Sequence, residues 1–114
     1  MPEPTGPRMR GLTRSGDIRR TRRLGRRVGG PHVVIWVLEG EGDDDSPTVG
    51  VVTSRGFTGA TARNMAKRRV RGGIMDVRRL LKPGATYLIE CRPGAESVDY
   101  QLLVIELTEL FSRK

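Results

Sequence analysis

The chain has 114 residues, which is enough for one domain with a single modest core. It contains 21 Lys and Arg against 13 Asp and Glu, so its net charge is +8 and its isoelectric point is about 11.0, which favours an anionic partner. A single cysteine excludes an internal disulfide framework and a cysteine-based zinc cluster, and no apolar run has the length of a membrane span.

The positive charge lies in two blocks of the sequence. Residues 1–31 contain nine Arg and two acids, and residues 63–82 contain eight Lys or Arg and one acid. Between them, residues 32–62 contain one Arg and five acids. Runs of Lys and Arg with few acidic residues are typical of surfaces that bind nucleic acids, so the charge pattern predicts RNA or DNA as the partner.

Residues 1–9 contain three prolines and predict a disordered N-terminal tail. Residues 10–114 are predicted to form one RNA-binding domain. The N-terminal stretch has no hydrophobic core of the kind that a secretory signal requires. Cys91 lies in an apolar run and is expected to be a buried free thiol in a reducing compartment, so the predicted location is cytoplasmic.

The first predicted helix begins at Ser15, which is expected to cap it, and ends near Leu24, before Gly25. Its apolar stripe consists only of Ile18, Thr21 and Leu24, and arginines surround that stripe. A short helix with so little apolar surface is marginal by itself, so we expect it to dock on another element.

Three stretches rich in β-branched and aromatic residues predict strands, at residues 32–38, 48–54 and 86–91. A short edge strand around Val28 is expected before them. The polar loop at residues 39–47 is predicted to join the first two strands as an antiparallel hairpin.

A long amphipathic helix is predicted over residues 62–82, with Thr61 as its cap and Pro83 as its end. The pair Gly72 and Gly73 costs about 1 kcal/mol per glycine relative to alanine, which leaves a kink or an early end open. A strip of cations runs beside the apolar face of this helix. The apolar face consists of Ala62, Ala66, Val70, Ile74, Val77 and Leu81, and the strip consists of Arg63, Lys67, Arg71 and Arg78.

The last helix is predicted to follow a turn at Pro93 and Gly94, with Ser97 as its cap. Apolar residues recur at helical spacing from Tyr100 to Phe111. This spacing gives the helix a strong apolar face, whose predicted role is core packing.

The chain offers little for catalysis. Its only histidine, His32, lies at a strand edge, and no Ser–His or Cys–His arrangement is apparent. The acids Asp43, Asp44 and Asp45 fall in a loop that lacks the pattern of a calcium site, so a solvated loop is expected there. The sequence therefore predicts a binding protein with no catalytic residue and no metal site of its own.

Two adjacent motifs resemble the bacterial ribonuclease P protein component. Residues 49–55 resemble the Ser-Val-Ser-Lys-Lys-like strand end of that family. Residues 63–71, Arg-Asn-Met-Ala-Lys-Arg-Arg-Val-Arg, follow at the spacing of its Arg-Asn-Arg-x-x-Lys-Arg-like helix. Matches to the first helix, the aromatic-bearing strand and the last strand extend the resemblance over about residues 10–112.

Several positions depart from the family pattern. Met65 replaces the second arginine of the helix motif, and Gly56 replaces the second of the paired lysines. Ile18 and Arg22 occupy positions of the first helix where the family usually has aromatic residues. These departures are expected to affect the affinity for RNA, and the contacts with the 5′ leader of the substrate RNA, more than the fold.

The resemblance implies an α+β fold, a two-layer α-β sandwich in the order helix, strands, helix, strand, helix. It implies a noncatalytic subunit of the ribonuclease P endoribonuclease, whose partners are ribonuclease P RNA and precursor tRNA. In that family the RNA removes the 5′ leader of the precursor, and Mg²⁺ is expected for the RNA–protein holoenzyme and not for the protein alone. A membrane and a small-molecule substrate are not expected.

The resemblance also implies two sites. A leader-binding cleft is expected at Ile18, Arg22 and Trp36, although Trp36 is equally compatible with an ordinary core position. The other site is the surface that binds the RNA subunit, and Arg69 is expected to contribute little to that binding. Its residues are Arg55, Arg63, Asn64, Lys67, Arg68, Arg69 and Arg71.

Two other functional classes remain open from the residues alone. A ribosomal or ribosome-assembly RNA-binding protein with a similar sandwich would bind ribosomal RNA and have no role in tRNA cleavage. A metal-dependent nuclease would use the acidic loop at residues 39–47 and would cleave without any RNA.

Overall fold

The computed structural model describes residues 9–40 and 46–113, which form three α-helices, one 3₁₀ turn and five strands. Residues 1–8 of the predicted disordered tail and the predicted solvated loop at residues 43–45 lie outside the described residues. Met9, the last residue of that predicted tail, packs against the main core, so the prediction is wrong at this position. The elements in chain order are β1 (Arg10–Gly11), α1 (Ser15–Leu24), β2 (Arg26–Gly29), β3 (Val33–Leu38), β4 (Thr48–Thr53), α2 (Ala60–Asp76), the 3₁₀ turn (Arg78–Leu80), β5 (Thr86–Cys91) and α3 (Tyr100–Ser112).

The strands form one mixed sheet in the order β1-β4-β5-β3-β2. β5 pairs antiparallel with β3 on one side and parallel with β4 on the other. The predicted β3–β4 hairpin is therefore wrong, because β5 lies between these two strands. Leu88 and Ile89 of β5 are fully buried on opposite faces of the sheet, and a strand of that kind is most stable at the sheet centre.

Side chains of β3 alternate between two apolar clusters. Ile35 and its neighbours on the same face pack with α2 and α3, and they form the main core. Val34 and Trp36 point to the opposite face, where they pack with Leu88 and with Ile18 of α1. The sheet with α2 and α3 thus forms the expected two-layer sandwich, and α1 lies on the other face.

Helix α1 docks through its middle. Thr21 is buried and its hydroxyl donates to the backbone oxygen of Asp17 at 2.8 Å, while Ile18 is half-buried. Leu24 remains 51% exposed, so the predicted stripe is wrong at its last position. Three-residue steps fall short of a full helical turn, and two of them rotate Leu24 by about 120° away from Ile18.

The three predicted helix caps are each displaced. Arg14 occupies the N-cap of α1 and Gly59 that of α2, so Ser15 and Thr61 lie inside their helices. Asp99, not Ser97, caps α3 and accepts hydrogen bonds from the amides of Gln101 and Leu102. The amide of Ser97 is bonded to Gly94 in a separate turn, which places its side chain too early to serve α3.

Helix α2 continues through Gly72 and Gly73 and ends at Asp76, six residues before the predicted end at Lys82. A Cβ at Gly73 would lie 2.7 Å from Cδ1 of Leu107, so the absence of a side chain lets α2 approach α3. The hydroxyl of Tyr100 donates to the Asp76 carboxylate at 2.7 Å and adds a polar contact between the same two helices.

Glu106 of α3 holds the start of β3. Its Oε2 accepts hydrogen bonds from the amides of His32 at 2.8 Å and Val33 at 2.9 Å, and its Oε1 lies 2.8 Å from Nδ1 of His32. Only 8% of Glu106 is exposed. A Cβ at Gly30 would approach Oε2 to 2.7 Å, so this turn needs glycine for the carboxylate to fit. α3 therefore has a polar role besides core packing.

The matched substitutions Gly73→Ala and Gly72→Ala separate close packing from helix propensity. Both remove the same glycine penalty of about 1 kcal/mol. At Gly73 the new Cβ meets the fully buried Leu107, whereas at Gly72 it lies 3.3 Å from the hydroxyl of the partly exposed Tyr100. Overpacking costs about 1–3 kcal/mol, so Gly73→Ala is expected to be less stable than Gly72→Ala by that amount in urea unfolding. Equal stabilities would contradict this packing role.

Candidate nucleic-acid interface

Helix α2 positions a strip of cations along one border of the sheet. Ala66, Val70 and Ile74 are buried between α2 and the core. One position away, Arg63 and Arg71 are exposed and Lys67 between them is half-buried. The four-residue spacing stacks these cations on one side of the helix because 3.6 residues make one turn.

Cys91 shows where the strip meets the sheet. Burial raises the pKa of its thiol to about 12, and the nearby charges of Arg71 and Lys67 act in the opposite direction. Both cations therefore lie beside the end of β5. At neutral pH the buried thiol is protonated, so Cys91 is not a reactive nucleophile.

Within residues 9–40 and 46–113, Arg63, Lys67 and Arg71 of the strip have no acidic partner. The ion pairs there join Arg22 to Glu90, His32 to Glu106 and Lys82 to Glu39. Surface charge that is left unpaired in this way is available to an external anion. The cations of α2 that keep this freedom are Arg63, Lys67, Arg68 and Arg71.

Arg69 and Arg78 differ from the cations of the strip. The guanidinium of Arg69 donates hydrogen bonds to the backbone oxygens of Ala95, at 2.9 Å, and Val98, which ties α2 to the loop before α3. Arg78 was expected in the strip, but it is buried in the 3₁₀ turn because α2 has already ended. Sequence spacing alone did not reveal either role, since both depend on tertiary contacts.

The remaining residues of the expected RNA surface are exposed. Asn64 lies in the first half of α2 beside Arg63. Arg55 lies in the loop after β4, where Gly56 adopts a positive φ of 100°. The left-handed conformation at Gly56 explains why glycine, and not lysine, suits this turn.

On the opposite face, Ile18, Arg22 and Trp36 lie together, at the positions that the family resemblance implies for the leader site. The guanidinium carbon of Arg22 lies 5.2 Å from the centroid of the Trp36 ring, in cation–π geometry. The same guanidinium lies 3.3 Å from the carboxylate of Glu90 on β5. Only 9% of Trp36 is exposed, so Arg22 and not the ring is the accessible surface here.

Gly25 brings α1 close to the tryptophan. A Cβ at this position would lie 2.6 Å from the Thr21 oxygen and 3.2 Å from Cβ of Trp36. Gly25 has an extended backbone, so it is required by this close approach and not by a left-handed turn. Glu90 is the member of the cleft that sequence reasoning missed, because no local pattern links it to Arg22 across 68 positions.

In the described residues, no group of three or more His, Cys, Asp or Glu side chains could hold a metal ion. Among the helices described, none combines the length and the apolar character needed to cross a membrane.

Comparison with known proteins identifies the family. The model of the Ribonuclease P family matches residues 7–114. A ribonuclease P protein component of Streptomyces avermitilis is 33% identical over 109 residues, which cover 90% of this chain and 89% of that protein. One from Acidothermus cellulolyticus is 28% identical over 102 residues, covering 90% and 85%.

A solved structure has the same fold. The RNase P protein from Thermotoga maritima superimposes with a TM-score of 0.74 at 24% identity, covering 86% of this chain and 91% of that one. The overall fold is thus shared with that protein. Sequence match, length and fold agree, and this chain belongs to the family of bacterial ribonuclease P protein components.

Proposed function

We propose that this ribonuclease P subunit binds the ribonuclease P RNA through the cation strip of α2 and the 5′ leader of precursor tRNA through the α1 cleft. Family membership makes the chain part of an endoribonuclease complex that acts in tRNA processing. The main support for two separate binding sites is that the strip and the cleft are associated with opposite faces of one sheet.

The strip suits a structured RNA because it supplies positive charge without groups that recognise bases. Arg63, Lys67 and Arg71 are spaced along about two turns of α2 and lack acidic partners among the described residues. Contacts of this kind neutralise phosphates and fix orientation, but they do not read bases. Arg55 and Asn64 would extend the same surface, and Arg69 would contribute by holding α2 in place.

The cleft suits a single strand. Arg22 covers Trp36 and is paired with Glu90, so a leader phosphate would compete with Glu90 for the guanidinium. A leader base would then stack on the flat guanidinium or on the uncovered indole, as bases do in other single-strand sites. Arg22 thereby replaces the aromatic residue that the family usually has in this helix, while Ile18 supplies an apolar wall.

Catalysis is proposed to reside in the RNA partner. Mg²⁺ would be held by the RNA and would supply Lewis-acid assistance to phosphodiester hydrolysis. The protein would orient the leader and screen phosphate charge. Cytoplasmic location is proposed as well, since a reducing compartment fits the buried free thiol of Cys91.

Adjacent arginines on α2 test the RNA surface. Arg68→Gln is expected to leave stability within about 0.5 kcal/mol of the parent. It should weaken binding of the ribonuclease P RNA and lower the steepness of its salt dependence by about one. Arg69→Gln, the matched control, removes two hydrogen bonds to backbone oxygens and should cost about 1–3 kcal/mol of stability.

The measurements are urea unfolding and filter binding at several salt concentrations. RNA affinity that is flat between low and moderate salt, or an unchanged affinity in Arg68→Gln combined with Arg63→Ala and Lys67→Ala, would contradict the assignment of the RNA surface on α2.

Trp36→Ala tests the cleft. Stacking of one base is worth about 1–3 kcal/mol, so the reconstituted complex should bind precursor tRNA roughly five- to a hundredfold more weakly. Mature tRNA has no leader and its binding should change little. Trp36→Phe serves as the control that keeps an aromatic ring. Equal losses for precursor and mature tRNA would show that Trp36 is only a core residue.

A further inference from the structure

A cavity of about 410 Å³ opens at the β1 edge of the sheet, on the α2 side. This volume is within the range of small-ligand pockets. Neither the cation strip nor the α1 cleft accounts for it. Its walls are the segment Met9–Thr13, residues 49–51 of β4, and Arg71, Ile74 and Met75 of α2.

The strand register shows which side chains face the cavity. β1 pairs parallel with β4, and Gly11 is opposite Val49. Paired residues of neighbouring strands point to the same face, so a side chain at Gly11 would point toward α2, as Val49 does. Met9 also packs on the main core, whereas Leu12 packs on the Trp36 side. Gly11, which has no side chain, leaves this part of the layer unfilled.

β1 is an edge strand of the sheet formed by the described residues, and it supplies polar groups. The amides of Arg10 and Leu12 donate to Pro47 and Val49, so these residues face β4. Successive peptide groups of a strand point in opposite directions, and the N–H and C=O of Gly11 are therefore directed away from β4, to the side where no described strand pairs with β1. One donor and one acceptor at the mouth of an apolar cavity suit the edge of a nucleobase.

Arg71 joins the cavity to the strip on α2. It lies on the cavity wall, is exposed, and has no acidic partner within the described residues. A phosphate bound there would lie at the entrance to an apolar space lined by Met75 and Ile74. The cation matches the phosphate of one nucleotide, and the apolar walls match its flat base.

We propose that this cavity receives one unpaired nucleotide of the RNA bound along α2, with its base between β1 and Met75 and its phosphate on Arg71. The proposal rests on the RNA-binding function proposed above and adds a base-inserting subsite to it. Phosphate contacts along the strip set position, and insertion of an extruded base selects an unpaired point in the RNA.

Methionine methyl groups provide a direct test by NMR of protein labelled at methionine ¹³C-methyl. Met9 and Met75 line the cavity, and Met65 lies about 15 Å away along α2 as an internal control. The probes are a short oligoadenylate and an abasic oligomer with the same phosphates. Oligoadenylate is expected to shift the Met9 and Met75 signals by ring currents, and the abasic oligomer to leave both nearly unchanged.

A plugging variant completes the test. Gly11→Leu fills the cavity from a position where a Cβ meets nothing closer than 3.6 Å, and Gly16→Leu is its matched control, because a Cβ there meets nothing within 4 Å. Gly11→Leu should abolish the two shifts and weaken binding of the ribonuclease P RNA about fivefold, the lower end for one inserted base. Gly16→Leu should do neither.

Oligoadenylate that shifts only Met65 would leave the strip as an RNA surface and overturn the cavity assignment. Equal shifts from the abasic oligomer would also overturn it, since the base would then be irrelevant. Absence of binding by either oligomer and by the ribonuclease P RNA would contradict the proposed function itself. Should Gly11→Leu fail to fold, the shifts in the unsubstituted protein still decide between these outcomes.

Discussion

Insertion of β5 between β3 and β4 is the constraint on which the rest of the structure depends. Because β4 and β5 are parallel neighbours, the chain between them must cross from one end of the sheet to the other, and α2 makes that crossing. The crossing fixes α2 on the Ile35 face, where α3 joins it. The Trp36 face is left to the short helix α1, so the cations of α2 and the contact between Arg22 and Trp36 lie on opposite faces of the sheet.

The contacts that a charged residue makes in the fold, more than its neighbours in the sequence, decide its role in this protein. Glu106, Arg69 and Arg22 are each committed to contacts within the fold: to backbone amides, to backbone oxygens, and to Trp36 with Glu90. Of these three, Glu106 is buried, and it stabilises the arrangement of elements because a buried polar group that loses its partner is costly. Of the remaining cations on α2, Arg71 lines the cavity at β1, so positive charge and apolar space meet at that residue.

The sequence predicted what depends on local pattern. Helical spacing located α1, α2 and α3, and β-branched runs located β3, β4 and β5. Alternation along β3 correctly separated the faces of Ile35 and Trp36, and the motif of α2 led to the family.

Features set by distant residues were not predictable in the same way. The position of β5 in the sheet depends on pairing between distant strands. Contacts between segments far apart in the chain also include the hydrogen bonds of Arg69 and Glu106 and the ion pair of Arg22 with Glu90. Caps failed for a related reason: Asp99 and Ser97 are both chemically suitable, and only the turn at Gly94 decides between them.

Reconstitution tests most directly whether this chain assists an RNA catalyst. Cleavage of 5′-labelled precursor tRNA would be followed in Mg²⁺ buffer with the purified protein, with a bacterial ribonuclease P RNA, and with both together. The protein alone is expected to release no leader, and its addition to the RNA is expected to accelerate leader release at moderate salt. Leader release by the protein without RNA, or an RNA reaction that the protein leaves unchanged, would contradict the account.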